Sequence, residues 1–277
     1  MPIVTISRGT MSGGEALAAR ISAATGARCI GRELVIDAAT RLGVPAEVLK
    51  GKMERSPGLW DRMTHERRMY VTALQAALAE HVVTGNVVYH GFVGHLLLRH
   101  VPAVLRVRVI SPVAVRVRAV MDKHGWPKPA AERYIAQVDE DRARWVRFIY
   151  GEDISDPRLY DLVVNLDAFG VESGCACVTE LASRPEFAIT PTVSQALCDF
   201  ALACRVRVAL ASAPAVRTLD LSVSAKAGVV TVEGDVPDAG LVTDISARWE
   251  ADVRPVAEAV EGVTRVDLQL RAVYPHT

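Results

Sequence analysis

Two stretches of this chain carry residues whose type and spacing suit phosphate chemistry. The first is Arg8-Gly9-Thr10-Met11-Ser12-Gly13-Gly14-Glu15-Ala16, which follows the apolar run Ile3–Ile6 and precedes a helical pattern. Strand, glycine-rich turn and helix form the layout of a phosphate-binding loop: Gly13 and Gly14 let backbone approach an anion, and the helix start aims unpaired N–H groups at it. Gly9 and Gly14 have the spacing of the glycines in GxxxxGK[ST], but Glu15 stands where a lysine would reach phosphates and Ala16 where a hydroxyl would hold magnesium. Arg8 is the nearest replacement cation. Ser12 could offer a hydroxyl in place of Ala16, although serine in a turn also commonly caps backbone.

The second stretch is basic and helical. Val113–Lys123 contains Arg116 and Arg118, and after the break Gly125-Trp126-Pro127 a longer helix is predicted from Pro129 through Phe148. It carries Arg133, Asp139, Arg142, Arg144 and Arg147. Arg142 and Arg147 can both reach one cleft beside the helix, with Arg144 turned away. Planar guanidinium forks suit phosphoryl oxygens. A solvated surface, with Asp139, Glu140 and Asp141 pairing locally, is an equal reading from spacing alone.

Positioning these residues requires a frame, and the hydrophobic pattern supplies one. Leu17, Ala18, Ile21 and Ala24 recur at helical spacing up to Gly26, and a short strand follows over Arg28–Ile30. Arg32–Leu42 reads as a helix with Leu34, Ala38 and Leu42 on one face, Lys50–Leu59 as an exposed connection, and His65–Val83 as a long helix packing Met69, Leu74, Ala77, Leu78 and Val82. Asn86–Tyr89 and Leu105–Ile110 are further strands, the latter alternating Arg106 and Arg108 against Leu105, Val107 and Val109. Strands separated by helices indicate an α/β body with a parallel sheet, whose ligands bind at the carboxyl ends of its strands.

Composition bounds the function. The 277 residues are 50% hydrophobic, enough for one large core or two smaller ones, and the formal net charge of zero gives no case for nucleic-acid binding. No signal pattern opens the chain and no run reaches the length of a membrane span, so a cytoplasmic location is expected. The five cysteines suit reduced thiols, and the single Cys175-x-Cys177 pair is too little for a metal site. His90, His95 and His100 recur at steps that do not share a helical face, so packed or surface roles are expected. No metal site is predicted.

Over Pro2–Leu181 the sequence resembles the cytidylate kinase-like family, a branch of the P-loop nucleoside monophosphate kinases. The likeness rests on ITISR-x-x-x-SGG, on GN-VV-x-x-G, and above all on DEDRARWVRFIYG (Asp139–Gly151) running into DPRLYDLVVN (Asp156–Asn165). The resemblance implies a P-loop kinase-like parallel sheet flanked by helices, and ATP or another nucleoside triphosphate with magnesium. Arg116, Arg142 and Arg147 would clamp phosphoryl groups, with Asp139 positioning arginine or acceptor, and Arg8 to Ala16 would form the nucleotide loop. The chain departs from the family at Glu15, at Gly31 in place of an acidic residue, and at Gly91-Phe92 in place of Gly-Arg. Each change removes charge that phosphoryl transfer relies on.

Near Arg184 the pattern changes, and Pro185, Thr190 and Pro191 punctuate it. Helix Val193–Leu210, strands Leu219–Ser224 and Gly228–Val236, helix Val242–Val260 and strand Val266–Val273 describe a small α+β body. Ala225–Val236 and Glu261–Val266 resemble a BON domain, which implies a non-catalytic module with a protein or lipid partner or a dimerising role. The expected organisation is a kinase-like domain over 1–185, a linker over 186–192 and a BON-like domain over 193–277. Three functions stay open: phosphoryl transfer to a nucleotide or other small acceptor, a pseudokinase that senses nucleotide or anion, and an interaction protein working through the smaller body.

Overall fold

The computed structural model describes residues 2–41, 64–237 and 245–273. Five strands, β2 (Arg28–Ile30), β3 (Val87–Tyr89), β1 (Ile3–Arg8), β4 (Val104–Ile110) and β5 (Leu162–Asn165), lie side by side in that order, and every pairing is parallel. Parallel neighbours need long crossovers, which helices supply: α1 (Gly14–Thr25), α2 (Arg32–Arg41), α3 (Thr64–Val82), the short α4 (Gly94–Leu97), α5 (Val113–His124), α6 (Lys128–Tyr150) and α7 (Leu166–Ala182). Alternation along the strands sends side chains into two cores. Ile3, Val87, Tyr89 and Val104 pack with Tyr70, Leu74, Leu78 and Trp145, while Val4, Ile6, Val88, Leu105 and Val107 pack with Leu17, Ile21 and Val178. Because β1 has β3 on one side and β4 on the other, its carboxyl end is the switch point of the sheet, and the glycine loop begins there.

The expected strand Asn86–Tyr89 starts one residue later, since Asn86 has a left-handed backbone with φ of 53°. The second basic helix runs beyond both expected ends, and Gly125 (φ 69°) closes the helix before it. β5 and α7 are not legible as elements from periodicity: β5 has four residues with Val163 exposed, and Gly170 (φ 68°, ψ −178°) kinks α7. Lys50–Leu59, Leu42 and the start of the Val242–Val260 helix lie outside the described residues.

The smaller body is a three-stranded mixed sheet. β6 (Asp220–Lys226) pairs antiparallel with β7 (Val229–Pro237), and β8 (Arg265–Val273) pairs parallel with β7. Ala227 and Gly228, both at positive φ, make the tight hairpin turn. One sheet face is covered by α8 (Pro191–Ser212) and α9 (Ile245–Glu258), burying Leu202, Val206, Val230, Val232, Val253, Ala257 and Val266.

Helix α8 joins the two bodies. Thr190 Oγ1 accepts from Val193 N at 3.2 Å and Pro191 occupies the first turn, so its start is defined locally. Leu197 belongs to the core of the larger body, Leu202, Val206 and Leu210 to that of the smaller, and Ala201, Cys204 and Val208 pack on Ala76 and Ala79 of α3. Arg205 adds an ion pair to Glu80 at 2.8 Å. By length and composition this is the one described helix that could cross a membrane, against the expectation that no run reaches that length: within Pro185–Ser212 an 18-residue window has a mean hydropathy of 1.3, which core helices also reach. The helix is apolar on several sides because it packs against several elements.

Candidate functional site

The glycine loop is held at both ends. Ser12 N donates to Gly9 O at 3.3 Å, and the Ser12 hydroxyl donates to the same carbonyl at 3.0 Å and lies 3.5 Å from Val109 O. Gly13, at φ 87°, caps α1 with no side-chain hydrogen bond, so the first-turn N–H groups of Gly14, Glu15 and Ala16 have no helical acceptor. Position 14 must be glycine, because a Cβ there would lie 2.7 Å from the Arg8 side chain. That arginine crosses the helix start, and its guanidinium is 3.7 Å from the Glu15 carboxylate, whose side chain is 69% exposed.

Helices α5 and α6 grip the loop at Thr10. Its N–H donates to Asp139 Oδ1 at 3.1 Å, its carbonyl accepts from Arg116 Nε at 2.7 Å, and its hydroxyl accepts from Arg142 Nη1 at 3.1 Å. Arg116, buried on α5, also forms an ion pair with Asp139. The guanidinium of Arg116 fills the space above Gly9, where a Cβ would come within 3.2 Å of it.

Arg142 is the unusual group. Burial and the nearby charge of Arg8 push its pKa down to about 10. Its guanidinium lies 5.9 Å from the centre of the Phe92 ring, which in turn meets Trp145 edge-on at 5.2 Å. Among the described residues it has no ion pair. Arg147 is exposed, five residues on, and borders the same cleft. Arg144 turns away, to Asp141 at 3.0 Å and Glu140 at 3.4 Å.

Two hollows flank the loop. One, of about 230 Å³, is bounded by Ser7, Arg8, Glu15, Arg32, Glu33, His90 and Arg142 on the β2–β3 side. The other, of about 490 Å³, lies beneath α6 and adds Arg108, Arg116, Asp139, Arg147 and Asp153. Arg32, Glu33, His90 and Arg108 are absent from the sequence-predicted site. His90, expected to be packed or on the surface, borders the first hollow, where burial and Arg8 lower its pKa. Arg108 faces Ser7 across the β1–β4 register and donates to its hydroxyl at 3.1 Å. The alternation of β4 was the available signal, since it sets Arg108 on the face opposite Leu105 and Val107.

The departure at 31 has a geometric explanation, while nothing in the structure explains Phe92. A Cβ at Gly31 would lie 2.9 Å from the Glu33 carboxylate, so an acidic group two residues on occupies that space. Gly91 and Gly94 leave room for the Tyr89 side chain, whose hydroxyl a Cβ at 91 would meet at 2.0 Å. Tyr89 then donates to Phe92 O at 3.3 Å and helps set the ring that faces Arg142.

A parallel sheet with a glycine loop at the end of its central strand and an arginine-bearing helix pair above it defines a kinase-like P-loop fold. The chain belongs to the cytidylate kinase-like family, whose model matches residues 3–168, and is by that membership a kinase-like nucleotide-binding protein. Among solved structures, an uncharacterized protein from Eubacterium ventriosum aligns at 17% identity with a TM-score of 0.54, over 66% of this chain and 99% of its own. A shikimate kinase from Bacteroides thetaiotaomicron aligns at 13% identity and a TM-score of 0.42 (66% and 99%), and a gluconokinase from Sinorhizobium meliloti at 16% and 0.41 (65% and 93%). No curated protein matches the sequence.

The family carries a general expectation of a nucleoside triphosphate with magnesium, and the loop does not fit the metal. Ala16 has no hydroxyl, the Ser12 hydroxyl is engaged by Gly9, and Asp139 is engaged by Thr10 and Arg116. Among the described residues, no group of three or more His, Cys, Asp or Glu side chains could hold a metal ion.

Proposed function

We propose that the cleft between the glycine loop and α6 binds a phosphorylated small molecule, a nucleoside triphosphate first, and that the protein works as a nucleotide or anion sensor with impaired phosphoryl transfer. The observation that carries this is Arg142: a half-buried guanidinium beside Arg8, with no ion pair among the described residues, is stabilised when an anion enters. The uncapped N–H groups of Gly14, Glu15 and Ala16 add backbone donors at the same place. Arg8, Arg142 and Arg147 are the direct contacts, while Arg116 and Asp139 hold Gly9–Ser12 in shape. Glu15 is what weakens transfer, since its carboxylate at the helix start repels a triphosphate.

A second reading, transfer to a small phosphorylated or carboxylate acceptor, is favoured by the smaller hollow with Arg8, Arg32, Arg142 and His90. The two are separated by titrating ATP and CMP calorimetrically and assaying CMP phosphorylation. The sensor reading expects saturable ATP binding with little turnover, and robust turnover of CMP refutes it. The smaller body, by its sequence likeness to BON domains, serves as a docking module for a protein or lipid partner. The free cysteines among the described residues suit a reducing, cytoplasmic setting.

A further inference from the structure

The larger hollow is unbalanced in charge. It is bounded by five arginines, Arg8, Arg108, Arg116, Arg142 and Arg147, and by three carboxylates, Asp139, Glu140 and Asp153. Each of these carboxylates already has a partner within the protein. Asp139 accepts from Thr10 N and pairs with Arg116, Glu140 pairs with Arg144 at 3.4 Å, and Asp153 accepts from Ser155 N at 2.9 Å and Ser155 Oγ at 2.7 Å.

The arginines are in the opposite condition. Among the described residues, Arg116 alone of the five has a carboxylate within hydrogen-bond distance. Arg108 donates to the neutral hydroxyls of Ser7 at 3.1 Å and Tyr160 at 3.3 Å, and its guanidinium lies 5.5 Å from the centre of the Tyr160 ring. Arg142 has the Thr10 hydroxyl, Arg147 has no ion pair among the described residues, and Arg8 reaches Glu15 only at 3.7 Å. A divalent cation is normally shared between phosphate oxygens and one or two protein carboxylates. Here it would meet surplus positive charge instead, while a phosphate chain would meet guanidinium groups.

We propose that this cleft takes its phosphorylated ligand as the metal-free polyanion, with Arg8, Arg108, Arg142 and Arg147 supplying the countercharge that magnesium supplies elsewhere. This rests on the nucleotide-binding reading above and adds the ionic form of the ligand and the role of Arg108. Magnesium halves the charge of ATP and holds the phosphate oxygens that the arginines would use, so it competes with this site.

The test is calorimetric titration of the full chain with ATP, and separately with inorganic tripolyphosphate, in EDTA and in excess magnesium chloride. Binding in EDTA is expected to be at least as tight as in magnesium. Arg108→Gln and Arg147→Gln are each expected to weaken binding in EDTA about tenfold, a loss of about 1.4 kcal/mol. Arg147 is exposed, so its variant should fold as the parent does, which circular dichroism checks. Equal affinity for both probes assigns recognition to the phosphate chain, and tighter ATP binding adds a nucleoside contact; both outcomes support the proposal. Binding only with magnesium, or a tenfold gain from it, overturns the proposal and leaves the nucleotide reading standing. No binding of either probe under either condition overturns both.

Discussion

Replacing Arg142 by glutamine should move stability and affinity in opposite directions. Its pKa is lowered to about 10 through burial and the neighbouring Arg8. At about 1.36 kcal/mol per pH unit, holding this charge costs the folded state at most about 3.5 kcal/mol. Because the folded pKa is depressed, the unfolded chain binds the proton more tightly. The cost is therefore complete below pH 10 and disappears only as pH rises above that toward the ordinary arginine range. Against it stand one hydrogen bond to the Thr10 hydroxyl, about 1 kcal/mol, and the approach to Phe92, about 0.5–1 kcal/mol. Glutamine keeps a donor for Thr10 and removes the charge. Arg142→Gln should thus leave the urea midpoint at pH 7.5 unchanged or raise stability by about 1 kcal/mol. Its ATP dissociation constant should rise about tenfold to a hundredfold, for a charge-assisted contact of about 1.5–3 kcal/mol. Arg144→Gln, which loses the contacts to Asp141 and Glu140 on the side away from the loop, should stay within about twofold. A variant at 142 that loses about 2 kcal/mol of stability while binding ATP as the parent does would refute this account and make Arg142 structural.

Three further outcomes follow from the geometry. His95 is buried and its pKa is pushed down to about 3, so stability should fall as pH drops from 6.5 toward 3. In His95→Leu, the slope of stability against pH over that window should shrink by about 1.4 kcal/mol per unit, and an unchanged slope would place the acid sensitivity elsewhere. Since α8 is shared by both cores, calorimetry should record one unfolding transition, and Leu197→Ala should lower it as a unit by about 2–5 kcal/mol; two separated peaks would mean the bodies are independent. Glu15→Lys with Ala16→Thr should create magnesium-dependent tightening of ATP binding, measured by titration, and unchanged affinity would place the triphosphate away from the loop.

The amino-acid sequence by itself determined the elements whose information is local. Ile3–Ile6 before Gly13-Gly14 specifies strand, turn and helix, and Leu74, Ala77, Leu78 and Val82 specify a buried helix face, because neighbours at two-, three- and four-residue spacing make those structures. Arg116, Asp139, Arg142 and Arg147 were legible as candidates because their residue types suit phosphate. Their grouping around the loop was decided only by the tertiary structure. Thr10 is held by Arg116, Asp139 and Arg142 across 106, 129 and 132 residues, and no local period encodes such separations. Arg108 and His90 followed ordinary strand and loop patterns, and became part of the site only when β1, β3 and β4 were set side by side. The charge of a cleft belongs to this second category. It depends on which carboxylates are already engaged, and here Asp139, Glu140 and Asp153 have Arg116, Arg144 and Ser155 as partners, while Arg108, Arg142 and Arg147 have no ion pair among the described residues.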